Sequence, residues 1–463
     1  MYYTVRREND ITPKSLKGAA ISMIQLSDHF NYKRLLRFTT PSIIMLIFTS
    51  VYGVVDGFFV SNFVGKTAFT AVNFIMPVLM ILGCVGFMFG TGGGALIAIT
   101  MGSGHKEKAN RLFSMLIYVS LACGIVLTGL GLLFLRPLLS LLGAEGQMLE
   151  DCITYGKIIL PAVSAYILQY EFQCLFATAQ KPKLGLYVTV AAGVTNALLD
   201  ALFIIVFHWG LQGAAAATAI GQCVGGLLPV LYFARPNTSL LRLTKAKFDG
   251  AALLKVCVNG SSELMSNIST SIVSMLYNIQ LLHYAGEDGV AAYGVLMYVN
   301  LIFLAAFIGF SVGVSPVIGY HSGAGNYDEL KGLLKKSFII TGVFAFLMFL
   351  ASQVLARPLS LLFVGYDEEL LAMTLRGFFI FAFSFLFAGF AIFGSAFFTA
   401  LGDGLTSALI SFLRTLVFQI LAVLLLPLIL GLDGIWISIV AAEIAAAIVA
   451  LLFLFAKRKH YHY

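Results

Sequence analysis

The sequence predicts an all-α polytopic membrane protein, with twelve transmembrane helices in two pseudo-symmetric six-helix lobes, and three observations carry that prediction. The first is composition: of 463 residues, 59% are apolar and only 11% are charged, with a mean hydropathy of +0.93. Soluble domains run at about 45–50% apolar and about 25% charged. This chain cannot build a water-compatible surface, which excludes a soluble enzyme, a nucleic-acid binder and a disordered chain. A transmembrane β-barrel alternates apolar with polar residues and would be less apolar than this. The second and third observations are the placement of positive charge and an internal repeat.

A helix needs about 20 apolar residues to cross a bilayer. Apolar runs between polar turns fall at 38–62, 71–101, 109–135, 148–178, 184–207, 211–234, 251–283, 289–320, 333–356, 369–400, 405–430 and 434–456. The longer runs predict tilt or extension beyond the lipid. With the N-terminus inside, 23 of the 29 Lys and Arg fall in cytoplasmic segments. Seven are in residues 1–37 (Arg6, Arg7, Lys14, Lys17, Lys33, Arg34, Arg37), and others include Lys106, Lys108, Lys181, Lys255, Lys336 and Lys457. A bias of this kind is what the positive-inside rule asks of a chain with both termini in the cytoplasm, and one span more or fewer would destroy it. Residues 1–37 lack an apolar run and read as a cytoplasmic tail without a cleavable signal. The six cysteines (84, 123, 152, 174, 223, 257) show no CxxC pair and read as small core residues.

Sliding the chain over itself by 221 residues superposes Gly104 on Gly325, Arg136-Pro137-Leu138 on Arg357-Pro358-Leu359, Thr178-Ala179 on Thr399-Ala400, and Gly210-Leu211 on Gly431-Leu432. Each half then holds six spans, an even number, so both enter the membrane in the same sense as parallel repeats. The expected division is a tail at 1–37, a first lobe at 38–234, a cytoplasmic linker at 235–250, a second lobe at 251–456 and a C-terminal tail at 457–463. Two related bundles with a cavity between them are the architecture of alternating access, so transport is the expected function.

Ionisable groups within spans are costly and point to function. They are Asp56, Glu171, Asp200, Glu263, Arg414 and Glu443. Counted at 1.5 Å per residue, Asp56 (span 1), Asp200 (span 5) and Thr218 (span 6) lie at a similar depth, and Asn196 is one turn from Asp200. These hard oxygen ligands suit a small cation. Two carboxylates close together in a low dielectric cannot both stay ionised without a counterion, so the set is expected to hold protons or Na⁺, Na⁺ being ligated by all four if sodium is the coupling ion. Helix packing is the plainer alternative. The second half has Tyr277, Val417 and Leu421 at the positions equivalent to Asp56, Asn196 and Asp200, so the bundle itself does not require the set. Arg414 and Glu443 are expected to form a structural ion pair. Glu263, Glu171, Asn73 and Asn300 are candidates for a substrate cavity.

Enzyme motifs fail on inspection. Gly65-Lys66-Thr67 has the end of a P-loop, but position 60 is Val where Gly is needed. Gly309-Phe310-Ser311-Val312-Gly313 spells G-x-S-x-G inside a span, where small residues for helix packing are the better reading. The run Gly90-Thr91-Gly92-Gly93-Gly94 reads as a loosened stretch of span 2. The chain is therefore not expected to be an enzyme or to need a cofactor beyond a coupling ion.

Over residues 33–456 the chain resembles the MATE (multidrug and toxic compound extrusion) transporters of the bacterial type with an acidic site in the first lobe. The resemblance rests on Pro41-Ser42, Val55-Asp56-Gly57, Asn196-x-x-x-Asp200, Gly210-Leu211-x-Gly213-Ala214-Ala215 and Arg136-Pro137. It implies two lobes in a V, exchange of H⁺ or Na⁺ for organic cations, a coupling site on Asp56, Asn196, Asp200 and Thr218, and a hinge at Pro41. Another branch pairs a Glu in span 7 with an Asp in span 10. Glu263 matches the first, but span 10 has only Asp367, Glu368 and Glu369 near its outer end. The expectation is thus a monomeric multidrug exporter of the cytoplasmic (inner) membrane. Its partners would be cationic amphipathic small molecules and lipids, with no nucleic acid. The rival within the superfamily is a flippase for lipids or lipid-linked oligosaccharides, disfavoured because Arg414 is the one basic residue within a span.

Overall fold

A computed structural model describes residues 24–365 and 367–463. Long helices fill it, and no strand occurs among the described residues. They are α1 (Tyr32–Val64), α2 (Lys66–Gly102), α3 (Lys106–Leu141), α4 (Gly146–Thr178), α5 (Pro182–Val206) and α6 (Gly210–Ala234) in the first half. The second half has a 74-residue stretch, Gly250–Gly323, followed by α9 (Tyr327–Val364), α10 (Glu368–Ala400), α11 (Gly404–Leu430) and α12 (Leu432–Tyr461). Among the described residues, eleven segments are thus long and apolar enough to cross a membrane. The 74-residue stretch is two passes, α7 (250–285) and α8 (287–323), because Gly286 breaks it at φ 65°, ψ −152°. Glycine alone adopts that backbone without strain. Tyr277 and Tyr293, sixteen residues apart, stack at 5.4 Å, whereas in one straight helix about 24 Å of rise would separate them. Apolar side chains such as Leu133, Val354, Leu362 and Phe455 stand exposed on the bundle's flanks, where lipid rather than water accepts them. The protein is a multi-pass membrane protein.

Helix ends depart from the sequence expectation where polar residues extend helices past the lipid. Helix α1 begins at Tyr32 rather than at 38, capped by Asn31, whose side chain accepts from Arg34 N at 2.8 Å. Residues 32–37 are therefore helical. Arg6, Arg7, Lys14 and Lys17 lie outside the described residues. Helix α12 runs on to Tyr461 because Lys457 donates to Asp403 Oδ2 (2.6 Å) and Thr406 Oγ1 (2.5 Å). Burial pushes the Asp403 carboxyl up, but hydrogen bonds from Lys457 and Thr406 outweigh it and hold the group below the usual carboxylate range. The segment between the halves lies against the first half: Arg242 N donates to Asn110 Oδ1 (2.9 Å), Thr244 N to Ser114 Oγ (2.8 Å) and Ser239 Oγ to the Ala179 carbonyl (3.0 Å).

The apolar interior has one large shared part, a small contact of Met45 and Leu46 with Ala305 across the halves, and two parts that belong to one half each. At the end that carries Lys106, Lys181, Lys255, Lys336 and Lys457 (the basic end), one core combines Phe38, Ile97 and Phe172 of the first half with Val256, Phe310 and Phe397 of the second. Toward the opposite end, Val72, Ile75, Tyr155 and Leu211 form a core of the first half alone. Tyr293, Phe378, Phe381 and Trp436 form one of the second half alone. The halves therefore meet at the basic end and part toward the other, as a V.

Glycines make the meeting close. A methyl group on Gly92 would lie 2.2 Å from the Val256 carbonyl oxygen, and one on Gly260 would lie 2.0 Å from that of Met88. The glycine run of span 2 is thus no loosened stretch: α2 is unbroken there, and Gly90 and Gly92 face α4 and α7 respectively. Gly309 and Gly313 seat α8 against Ile43 and Thr39 of α1 in the same way. Pro41 lies inside α1 without interrupting it.

A strap closes the basic end. Residues before α1 cross to the second half, where His29 Nδ1 meets Glu329 Oε2 (2.5 Å), Phe30 N donates to Glu329 Oε1 (2.9 Å) and Lys336 Nζ donates to the Phe30 carbonyl (2.5 Å). Leu26 and Phe30 are fully buried. Replacing Glu329 with Ala orphans the Phe30 N–H and the Lys336 charge, so a loss of about 1–3 kcal/mol is expected. A lower melting temperature of the purified protein would show it, and an unchanged one would disprove a role for the strap in stability.

Candidate functional site

Four helices of the first half bring polar side chains together. Helix α1 supplies Asp56, α5 Asn196 and Asp200, α6 Thr218 and α4 Tyr155. Thr218 Oγ1 donates to Asp56 Oδ1 at 3.1 Å. Asn196 and Asp200 stand beside the Asp56 carboxyl. Asp56 is 6% exposed, Asn196 4% and Asp200 0%. Both Asp200 carboxyl oxygens and Asn196 Nδ2 are buried without a hydrogen-bond partner among the described residues. Among the described residues, neither carboxylate is joined by a basic side chain.

Local helix geometry sets the site up. Helix α1 widens into a π-helical turn at Val60–Val64, one turn past Asp56. Helix α5 widens at Ala201–Val206, directly after Asp200. Such turns recur at functional sites, because one extra residue re-aims the side chains around it.

Sequence reasoning passed over Tyr155. Its phenol is fully buried without a hydrogen-bond partner among the described residues, facing Thr218 and the two carboxylates. The signal was available: Tyr155 lies about seven residues from the outer end of span 4, the depth of Asp200 and Thr218. The depth count took in carboxylates, an amide and a threonine hydroxyl and left out the phenol, which carries the same kind of hard oxygen.

The second half holds a different arrangement. At the position equivalent to Asp56, Tyr277 donates to Gln419 Oε1 (2.8 Å) and lies 2.9 Å from Ser438 Oγ, a knot of neutral side chains. Beside it is a cavity of about 260 Å³, lined by Glu263, Asn267, Asn300, Arg414, Gln419 and Glu443 among others, with Thr91 of α2 contributing to its wall. Arg414 Nε donates to Glu443 Oε2 at 2.9 Å. Of the four cavity candidates, Glu263 and Asn300 line this space. Glu171 does not: it is fully buried in the first half, near Ser120 of α3 and behind Gly90 of α2, because its face of α4 packs inward. Asn73 is exposed on α2 and is not in this wall either.

An even-numbered helical duplex, parted at one end, with buried acids in one half and a polar cavity in the other, has the build of a carrier. A sequence profile of the MatE family matches the chain twice, over residues 41–202 and 264–425. The chain belongs to this family, the MATE transporters. Among curated relatives, the multidrug export protein MepA of Staphylococcus haemolyticus (strain JCSC1435) is 24% identical over 435 residues, covering 92% of this chain and 94% of that one. MepA of Staphylococcus aureus (strain MRSA252) is 24% identical over 434 residues, with the same coverage. Among solved structures, an outward-facing multidrug resistance MATE family transporter of the MOP superfamily superposes with a TM-score of 0.90 at 22% identity, covering 96% of this chain and 100% of that one. A crystal structure of MATE in complex with MaL6 gives 0.89 at 23%, covering 94% and 98%.

Trp209 offers a reporter for the acidic site, since its ring stacks on Phe203 at 4.8 Å, just past Asp200. Tyr155→Phe removes one unpartnered oxygen, so the melting temperature should move by the equivalent of about 1 kcal/mol or less. The same change is expected to weaken Na⁺- or H⁺-dependent quenching of Trp fluorescence roughly five- to tenfold in half-saturating concentration, near 1 kcal/mol. An unaltered titration would remove Tyr155 from the site.

Proposed function

We propose that this member of a multidrug efflux family is a secondary antiporter, exporting organic cations across the cytoplasmic membrane in exchange for H⁺ or Na⁺. The observation that carries the reading is the Asp56–Asp200 pair, buried together without a counter-charge and present in one half only. Charge of that kind in a dry site calls for a mobile positive ion. In this reading the basic end is cytoplasmic, both termini lie there, and the V opens outward. Protons or Na⁺ entering from outside neutralise the pair, with Thr218, Asn196 and Tyr155 as the remaining oxygen-bearing partners. Occupied and empty sites favour different packings of α1 and α5, whose π turns adjoin the two acids. A ligand shifts such an equilibrium only by its differential affinity for the two states, so ion entry must favour the packing that releases substrate. The 38–234 and 251–456 lobes act as the moving bodies of a monomer in lipid. The Arg414–Glu443 pair speaks against a flippase, since the basic residue within the spans is already partly neutralised.

In proteoliposomes with separately imposed pH and Na⁺ gradients, Asp56→Asn and Asp200→Asn are each expected to insert normally and to lose gradient-driven export by at least roughly tenfold, a loss of about 1.4 kcal/mol or more in coupling. Normal pumping by both variants would sink the coupling assignment, and the gradient that drives the parent protein identifies its ion.

A further inference from the structure

The cavity of the second half holds two carboxylates and a guanidinium whose outer donors a plain cation leaves unmet. Arg414 lies in the π-helical turn Leu413–Val417 of α11 and lines the cavity. Its Nε is bonded to Glu443, the two side chains being 14% and 8% exposed. Its Nη groups, with four N–H donors, have no protein partner among the described residues. Glu263 of α7 lines the same cavity and lies within the field of Arg414. Carboxylate, guanidinium and carboxylate thus share one wall set, with the amides of Asn267, Asn300 and Gln419 around them. An unsatisfied guanidinium in a sheltered site calls for an acceptor.

We propose that this cavity selects zwitterionic amphiphiles, organic cations that also bear a carboxylate, with Arg414 as the specificity-determining residue. The proposal rests on the export function above, for which this cavity is the substrate's site. The ligand's cationic nitrogen faces Glu263, and its carboxylate accepts from the Arg414 Nη groups. A guanidinium meets a carboxylate with two parallel N–H···O bonds, a geometry that an ammonium does not offer. A simple monocation at Glu263 leaves the Arg414 Nη groups without an acceptor, whereas a zwitterion fills both ends of the site. Specificity arises here as a difference between two affinities.

A matched dye pair tests this: tetramethylrhodamine, with a free carboxylate, and its methyl ester, a cation of nearly the same shape. Their affinities for the purified full chain in lipid nanodiscs are read by fluorescence anisotropy. The acid is expected to bind roughly tenfold tighter than the ester. In the double variant Arg414→Gln, Glu443→Gln, which leaves no lone buried charge, the ratio should collapse to about one. Arg414→Lys, a point charge without the fork, should retain part of the preference. Equal or reversed affinities in the parent overturn the proposal, as does a full preference retained in the double variant. If the double variant binds neither dye, Arg414→Lys decides: a reduced ratio supports the proposal and an undiminished one overturns it. The ratio is independent of ion coupling, so normal pumping by the Asp56 and Asp200 variants would refute the antiport reading and leave this result standing. Equal dye affinities alongside gradient-driven export would do the reverse.

Discussion

The seam between the two halves is the constraint on which the architecture depends, and its chemistry is that of bare backbone. Where α2 meets α7 and α1 meets α8, glycines let helices approach so closely that a methyl group would overlap a carbonyl or an α-carbon. In lipid there is no hydrophobic drive between helices, so packing at short range has to supply the adhesion. Glycine provides that closeness at one end of the molecule. The large shared core of aromatic and aliphatic side chains lies at the same end, and the two other large cores belong to one half each. A contact so confined is a natural fulcrum, because each half keeps its own interior intact while the angle between them changes.

The strap at residues 24–31 and the polar segment between the halves tie down that same end by different means. The strap joins the halves through Glu329, whose two oxygens serve His29 and the Phe30 amide. The connecting segment is bonded to α3 and α4 of the first half. Any opening of the basic end must therefore break the strap, while the connecting segment can travel with the first half. The internal repeat preserves shape and discards chemistry. Asp56 of the first half corresponds to Tyr277 of the second, where a neutral knot with Gln419 and Ser438 fills the place of the acids. Charge in the second half lies instead on Arg414, Glu443 and Glu263, around a cavity.

Much of this was legible in the sequence because membranes simplify the reading. Without water to satisfy the backbone, apolar length alone identifies spans, and the Lys and Arg bias fixes their number. Depth along a helix, counted from a span's end, was enough to group Asp56, Asn196, Asp200 and Thr218. The same count was blind to rotation about the helix axis, and so left Glu171 as a candidate for a wall it does not reach. Tyr155 lies at the same depth, and only the structure shows that its phenol turns toward the acids rather than into the apolar packing. The glycine run at 90–94 misled for a related reason: glycine loosens an isolated helix, but packed against another helix it is what allows contact.

Composition, charge order and the repeat by themselves determined an all-helical membrane protein of two like halves with acids in only one, because these properties depend on solvation and on position along a single helix. Tertiary structure alone decided which way side chains turn: Tyr155 toward the acid pair, Glu171 into the first half, residues 24–31 across to Glu329. It alone decided, too, that the halves close at the basic end. Such facts depend on how helices rotate and lean against each other, and that is set by the fit of whole surfaces rather than by any one stretch of chain.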